Sequence, residues 1–224
     1  MALADFQALI AGLIRDDEAA ITTAQRDQAI SLGLDRYSQD RPRLKVEDAN
    51  AAGGEILTLP GSYESDFSRL TAIEYPVGDV PPSMVDGETW RVLATPSGDR
   101  LLWDGAPASG QTYRLRYTIR HLLDGANDTI PRNDREAVAK WAAALLLEQL
   151  AARAAGTTDS TIAADGVERA DQARKYADRA AALRRDYFDQ LGIDPKRALG
   201  AGAVVVLKPT DSLGGARLTH GQAF

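Results

Sequence analysis

The chain has 224 residues, with 26 lysines and arginines against 32 aspartates and glutamates, for a net charge of −6. It holds no cysteine and only His121 and His220 for imidazole, which excludes a disulfide framework, a thiolate nucleophile and a cysteine-based zinc cluster, and leaves little for a Ser-His-Asp triad. The acidic balance argues against a general nucleic-acid binder, and a start without a basic n-region, with no apolar run near 18 residues anywhere, predicts a soluble, cytosol-made protein that is not a catalyst.

The first 40 residues read as two helices. Phe6, Leu9, Ile10, Leu13 and Ile14 fall at helical spacing and form one apolar stripe. Asp16 or Asp17 is expected to cap the second helix, which runs through Ile21, Ala24, Ile30, Leu34 and Tyr37 and stops near Pro42, a residue without an amide donor. From about Leu44 to Leu123 the texture changes. Eight of the ten prolines lie from Pro42 to Pro131, so long helices are excluded there and short strands between turns are expected. Ile56–Leu59 ends at Pro60-Gly61, and Leu70–Val77 ends at Gly78-Asp79. Trp90–Ala94 and Leu101–Trp103 flank a hairpin turn at Pro96-Ser97-Gly98-Asp99. Thr112–Arg120 alternates cleanly, with Tyr113, Leu115, Tyr117 and Ile119 on one face and Arg114, Arg116, Thr118 and Arg120 on the other. A small antiparallel β-unit with one wet face follows.

Helices then return. Asn133-Asp134-Arg135-Glu136 has capping-box spacing, and Val138, Trp141, Leu145, Leu146 and Leu147 build a strongly apolar helix to about Ala154. After Gly156-Thr157-Thr158 a last helix spans roughly Ile162 to Leu191. In it Ala173, Tyr176, Ala180, Leu183, Tyr187 and Leu191 step at near-heptad intervals. Tyr176, Ala180, Leu183 and Tyr187 are the candidate intersubunit seam, and packing against the preceding helix within one chain fits the same pattern. The expected fold is therefore α+β but mainly α: a helical bundle with a small antiparallel β-insertion and an extended C-terminal tail. Its segments are N-terminal helices over 1–43, a β-rich insertion over 44–124, C-terminal helices over 125–191 and the tail over 192–224.

The acidity is uneven. From Gly192 onward four basic side chains stand against two acidic ones, so a tail of +2 hangs from a body of −8. Val204, Val205, Val206 and Leu207 form a β-prone run between glycine-rich stretches that cannot make a core alone. The run either folds back on the β-unit or adds as an extended segment to a partner's surface. Lys208, Arg217, Leu218 and a terminal Phe224 complete the expected docking surface.

Signals for chemistry are weak. Paired carboxylates (Asp16/Asp17, Glu47/Asp48, Asp134/Glu136) are common on solvated faces. Gly61-Ser62-Tyr63-Glu64-Ser65 is not a nucleophile elbow, and Gly200-Ala201-Gly202 precedes its apolar run where a dinucleotide fold would place it after a strand. Asn127-Asp128-Thr129 reads as a turn, and His121, just past a strand, as a structural residue. The Arg114/Arg116/Arg120 face suits either phosphates or neighbouring carboxylates, and the acidic body favours the latter.

The ordered set of Asp27–Ile30, Asp35-Arg36-Tyr37-Ser38-Gln39-Asp40-Arg41-Pro42, Ile73-Glu74-Tyr75-Pro76, Tyr113–Leu122 and Thr129-Ile130-Pro131 before the Ala/Leu-rich helix resembles the head-to-tail adaptor (connector, or neck) proteins of tailed bacteriophages and gene transfer agents. The likeness covers about residues 15 to 155. It implies a non-catalytic structural virion protein without cofactor or metal: a ring, typically of twelve copies, at the capsid portal vertex, synthesised in the bacterial host cytoplasm. The resemblance further implies that the tail grips the portal, that a stopper, terminator or nozzle protein binds the other side, and that DNA passes through the channel without specific binding. Another neck or baseplate component, such as a stopper or tail-completion protein, is the alternative within that class. A cytosolic enzyme with an acidic site and an arginine-face nucleic-acid binder are the alternatives outside it.

Overall fold

A computed structural model of the chain describes residues 3–14, 20–156 and 163–195. The chain divides into one compact unit, Met1–Gly192, and a second, Ile193–Phe224, of which only residues 193–195 are described. Helix α1 (Leu3–Ile14) buries Phe6, Ile10 and Ile14, one residue per turn. Helix α2 (Thr23–Asp40) begins later than the aspartate pair suggested. Thr22 is its cap: the Thr22 hydroxyl accepts from the Gln25 amide at 3.2 Å, and Gln25 Oε1 accepts from the Thr22 amide at 2.8 Å. This reciprocal box satisfies two donors at once, which a lone aspartate cannot do. Asp16 and Asp17 lie outside the described residues.

Six strands follow: β1 (Arg43–Asn50), β2 (Ile56–Thr58), β3 (Leu70–Glu74), β4 (Trp90–Thr95), β5 (Gly98–Trp103) and β6 (Thr112–Ile119). They form two three-stranded antiparallel sheets, ordered β1-β6-β3 and β2-β5-β4. The β4–β5 hairpin turns through Pro96-Ser97, with Gly98 at φ 103°, a conformation that glycine adopts without strain. Both sheets contribute to one core: Ile73, Tyr113, Leu115, Tyr117 and Ile119 from the first, Leu57, Leu101 and Trp103 from the second, with Ala51 and Leu59 beside them.

A 3₁₀ turn (Arg132–Asp134) leads into α3 (Arg135–Gly156), and α4 (Ala163–Leu191) completes the helices. Asn133 sits within the turn, so the expected capping box is not built. Asp134 is buried and used elsewhere. Helix α3 is central. α1, α2 and α4 all pack on it, and Ala137, Val138, Ala139, Ala142, Ala143, Ala144, Leu146, Leu147 and Leu150 are buried around much of its girth. Full burial of a leucine such as Leu146 contributes about 1.5–3 kcal/mol. Small residues let the helices approach closely: a Cβ placed on Gly33 of α2 would stand 3.4 Å from both Ala142 Cβ and Val138 O. On α4, Ala180, Leu183, Tyr187 and Leu191 are buried, and the Tyr187 and Phe188 rings flank Trp141 with centroids 4.8 and 5.7 Å away.

The mainly α helical bundle with a small β-insertion is overturned. Among the described residues the molecule is an α+β protein, with two three-stranded antiparallel sheets beside four helices. The reason is that the strands have a hydrophobic core of their own, ten buried side chains including three aromatic rings, and so form a body with its own packing.

Candidate functional site

A buried polar junction lies where the helices meet the sheets. Tyr37 and Ser38 project from the last turn of α2, and Arg41 follows at its end. His121 follows β6, Thr129 lies on the loop after it, and Asp134 ends the 3₁₀ turn before α3. The Tyr37 hydroxyl donates to Asp134 Oδ2 at 2.6 Å, and Arg41 Nη1 reaches the same oxygen at 3.0 Å. Arg41 Nη2 donates to the Leu191 carbonyl at 2.6 Å, where α4 ends at Gly192 with φ 65°. The His121 amide donates to Ser38 Oγ at 3.0 Å, and the imidazole packs 4.9 Å from the Tyr37 ring.

His121 itself is a bridge. Nε2 lies 3.0 Å from the Arg41 carbonyl. Nδ1 lies 3.0 Å from the Thr129 carbonyl and 3.2 Å from its hydroxyl. Both ring nitrogens are thus engaged within the chain, and His121 joins the end of α2 to the loop before α3. Burial first, then the hydrogen bond to Asp134, pushes the Tyr37 phenol above its ordinary range. A second pair repeats the pattern: Tyr187 donates to Asp40 Oδ2 at 2.7 Å, Arg36 clasps Asp40 through two nitrogens, and burial then hydrogen bonding raises the Tyr187 phenol as well. Neutral phenols against carboxylates hold positions. They offer no base or nucleophile at neutral pH.

A cluster with the look of chemistry lies on β1. Ser62 Oγ accepts from Lys45 Nζ at 2.6 Å and donates to Glu47 Oε2 at 2.8 Å, and the Tyr117 hydroxyl donates to the same oxygen at 2.7 Å. A serine beside a lysine can be activated only if the amine is neutral. Here the hydrogen bond to Glu47 holds the Lys45 ammonium above its ordinary range. Tyr117, Lys45 and Ser62 together push the Glu47 carboxyl down to about 2. The amine is charged and the carboxylate, held down by three donors on Oε2, is a weak base, so Ser62 is not activated, and the cluster fastens the Pro60–Tyr63 turn to β1.

The arginine face is neutralised by carboxylates. Arg114 pairs with Asp48 and Glu74, Arg116 with Glu74 at 3.5 Å, and Arg120 with Glu64 at 3.2 Å and Asp66 at 2.8 Å while its guanidinium stacks 5.0 Å from the Phe67 ring. Glu74 is only 2% exposed and answers two arginines. A groove of about 570 Å³ beside Arg120 is lined by Ser38, Gln39, Ser65, Asp66 and Arg69. Among the described residues, no group of three or more His, Asp or Glu is arranged to hold a metal ion, and no helix is long and apolar enough to cross a membrane.

The expected site residues divide in two. Of the α4 seam, Ala180, Leu183 and Tyr187 are buried within the chain, and Tyr176 is half-buried with its hydroxyl accepting from Gln172 at 3.1 Å. The expected docking surface, Val204, Val205, Val206, Leu207, Lys208, Arg217, Leu218 and Phe224, lies outside the described residues. Sequence reasoning missed Asp134 as a buried acceptor and Glu74 as the partner of two arginines. The signals available were an acid directly after the Pro131 break and an acid inside the Ile73–Pro76 strand end. No protein-family model matches the chain, and no curated protein matches it in sequence.

Proposed function

We propose that this chain is a head-to-tail adaptor, a non-catalytic structural virion protein that forms a ring, twelve copies in the closed form, between the capsid portal and the tail and carries the DNA channel onward. One observation supports this reading above others. Three of the five stretches that carry the resemblance, through Tyr37, Ser38 and Arg41, through His121 and through Thr129, meet in a single hydrogen-bonded junction. A loose set of matches that coincides with one physical knot is a better sign of shared architecture than the same matches dispersed. The closed pairing of the Ser62 cluster and of the arginine face favours a structural role over catalysis or phosphate binding.

In this reading residues 192–224, with their net charge of +2, grip the portal through Val204–Leu207, Lys208, Arg217, Leu218 and Phe224. The acidic body repels phosphates, so DNA passes without sticking. A stopper or other tail protein takes the opposite side. Electron microscopy of the full chain mixed with a portal protein from the same genome tests this. A ring seated on the portal is the expected result, and the absence of both ring and attachment overturns it.

A further inference from the structure

Strand β1 is an open sheet edge. Its partner β6 is covered on both sides, and the opposite edge, β3, is shielded: the Tyr75 amide donates to Ser83 O at 3.0 Å and the Val85 amide to Ile73 O at 2.8 Å. The ladder between β1 and β6 continues through the Ala51 amide bonded to Gln111 O. That phase turns the main-chain groups of odd-numbered β1 residues toward β6 and those of Leu44, Val46, Asp48 and Asn50 outward. Among the described residues, none of these four has a main-chain partner across that edge. Leu44 and Val46 also expose their side chains, at 65% and 54%. An open edge of eight residues carrying two exposed aliphatic side chains is a template for another strand.

We infer that this edge pairs with β1 of a second copy, antiparallel and centred on Val46. The charge pattern chooses both occupant and register. Of the alignments that let the outward groups face one another, the one centred on Val46 sets Lys45 opposite Glu47 of the second copy, twice about the axis, and places no like charges directly opposite. Centring on Lys45, Glu47 or Asp48 sets each of those charges against itself. Leu44 and Val46 of both copies then share one face, Val46 against Val46. The Lys45–Glu47 contact within each chain, 2.9 Å, extends into an alternating cluster of four charges. A twofold pair is not the contact of a cyclic ring. The inference therefore stands apart from the adaptor reading and describes copies not seated on a portal.

Sedimentation of the full chain at rising concentration tests it, with a doubling of the 24.1 kDa mass expected. Val46→Lys puts two ammonium groups on the axis and should hold the chain at its single mass with an unchanged circular dichroism spectrum. The chain has no cysteine, so Val46→Cys supplies a unique thiol pair at about 5.5 Å between Cα atoms, within disulfide reach. It should cross-link two copies roughly tenfold or more faster than Val80→Cys, on a residue 97% exposed away from the edge. If Val46→Lys fails to fold, the cysteine comparison decides alone. Single mass at every concentration, a dimer that survives Val46→Lys, or equal cross-linking at both cysteines overturns the pairing. So does a Val46→Cys/Val205→Cys variant that closes within one chain, which would give the edge to the tail.

Discussion

Asp134 and Asp40 each accept a hydrogen bond from the hydroxyl of a buried tyrosine while an arginine shares the carboxylate. Tyr37→Phe removes one donor from a buried acid and is expected to cost about 1–3 kcal/mol at neutral pH, read as a shift in the urea midpoint. The pH behaviour has a definite sign. A phenol raised in the folded state contributes stability that is whole below the unfolded value near 10 and drains away as pH climbs beyond it, so wild type should lose thermal stability in alkali and Tyr37→Phe should lose less. Glu47 behaves oppositely. Its carboxyl, held down to about 2, supports the fold above the ordinary 4.5 and loses that support as pH falls from there toward 2. Glu47→Gln should flatten the acid limb of the melting-temperature profile, and salt should shrink the difference because the group is partly solvated. Little of this was legible in the sequence. The partners of Tyr37 and Arg41 are 97, 93 and 150 residues away, and no local spacing encodes such pairs.

Strand β6 was readable because Tyr113, Leu115, Tyr117 and Ile119 all face the core and the arginines face out. Strand β1 was not, because its alternation is inverted: Leu44 and Val46 face water, whereas Lys45 and Glu47 turn inward to Ser62 and Tyr117. A period of two seen without its partner strand does not say which face is wet. Helix α2 shows a different limit. Its apolar residues marked a helix, but nothing in their spacing singled out Gly33, a residue of poor helix propensity that sits where α2 comes close to α3. Gly33→Ala should fall within about 1 kcal/mol of wild type, since the added methyl meets Ala142 and Val138 at contact distance while helix propensity improves. Gly33→Val should cost about 1–3 kcal/mol by overpacking. Denaturant unfolding of the two variants separates packing from backbone freedom.

For the whole molecule, the balance of helix and sheet differs from the expectation because the apolar residues of α1 and α3 are contiguous in sequence, whereas the strand region is broken by proline and glycine and reads as a small insertion. Its buried aromatic residues, Trp103, Tyr113 and Tyr117, are spread over separate strands, so their common core emerges only once the sheets close. At this scale the adaptor proposal predicts that a chain ending at Leu199 keeps its circular dichroism and melting temperature but no longer binds the portal in a pull-down. Undiminished binding would remove the tail from the contact. One more consequence follows from the strand pairing. Arg43 and Ile119 are partners in register, so the chain enters and leaves the sheets about 5.5 Å apart. The segment from Arg43 to Ile119 is therefore grafted at a single point, like a cassette in a slot. Its loops can lengthen, shorten or be exchanged between related chains without changing the distance that the helices must span, so diversification in this molecule has a place to occur.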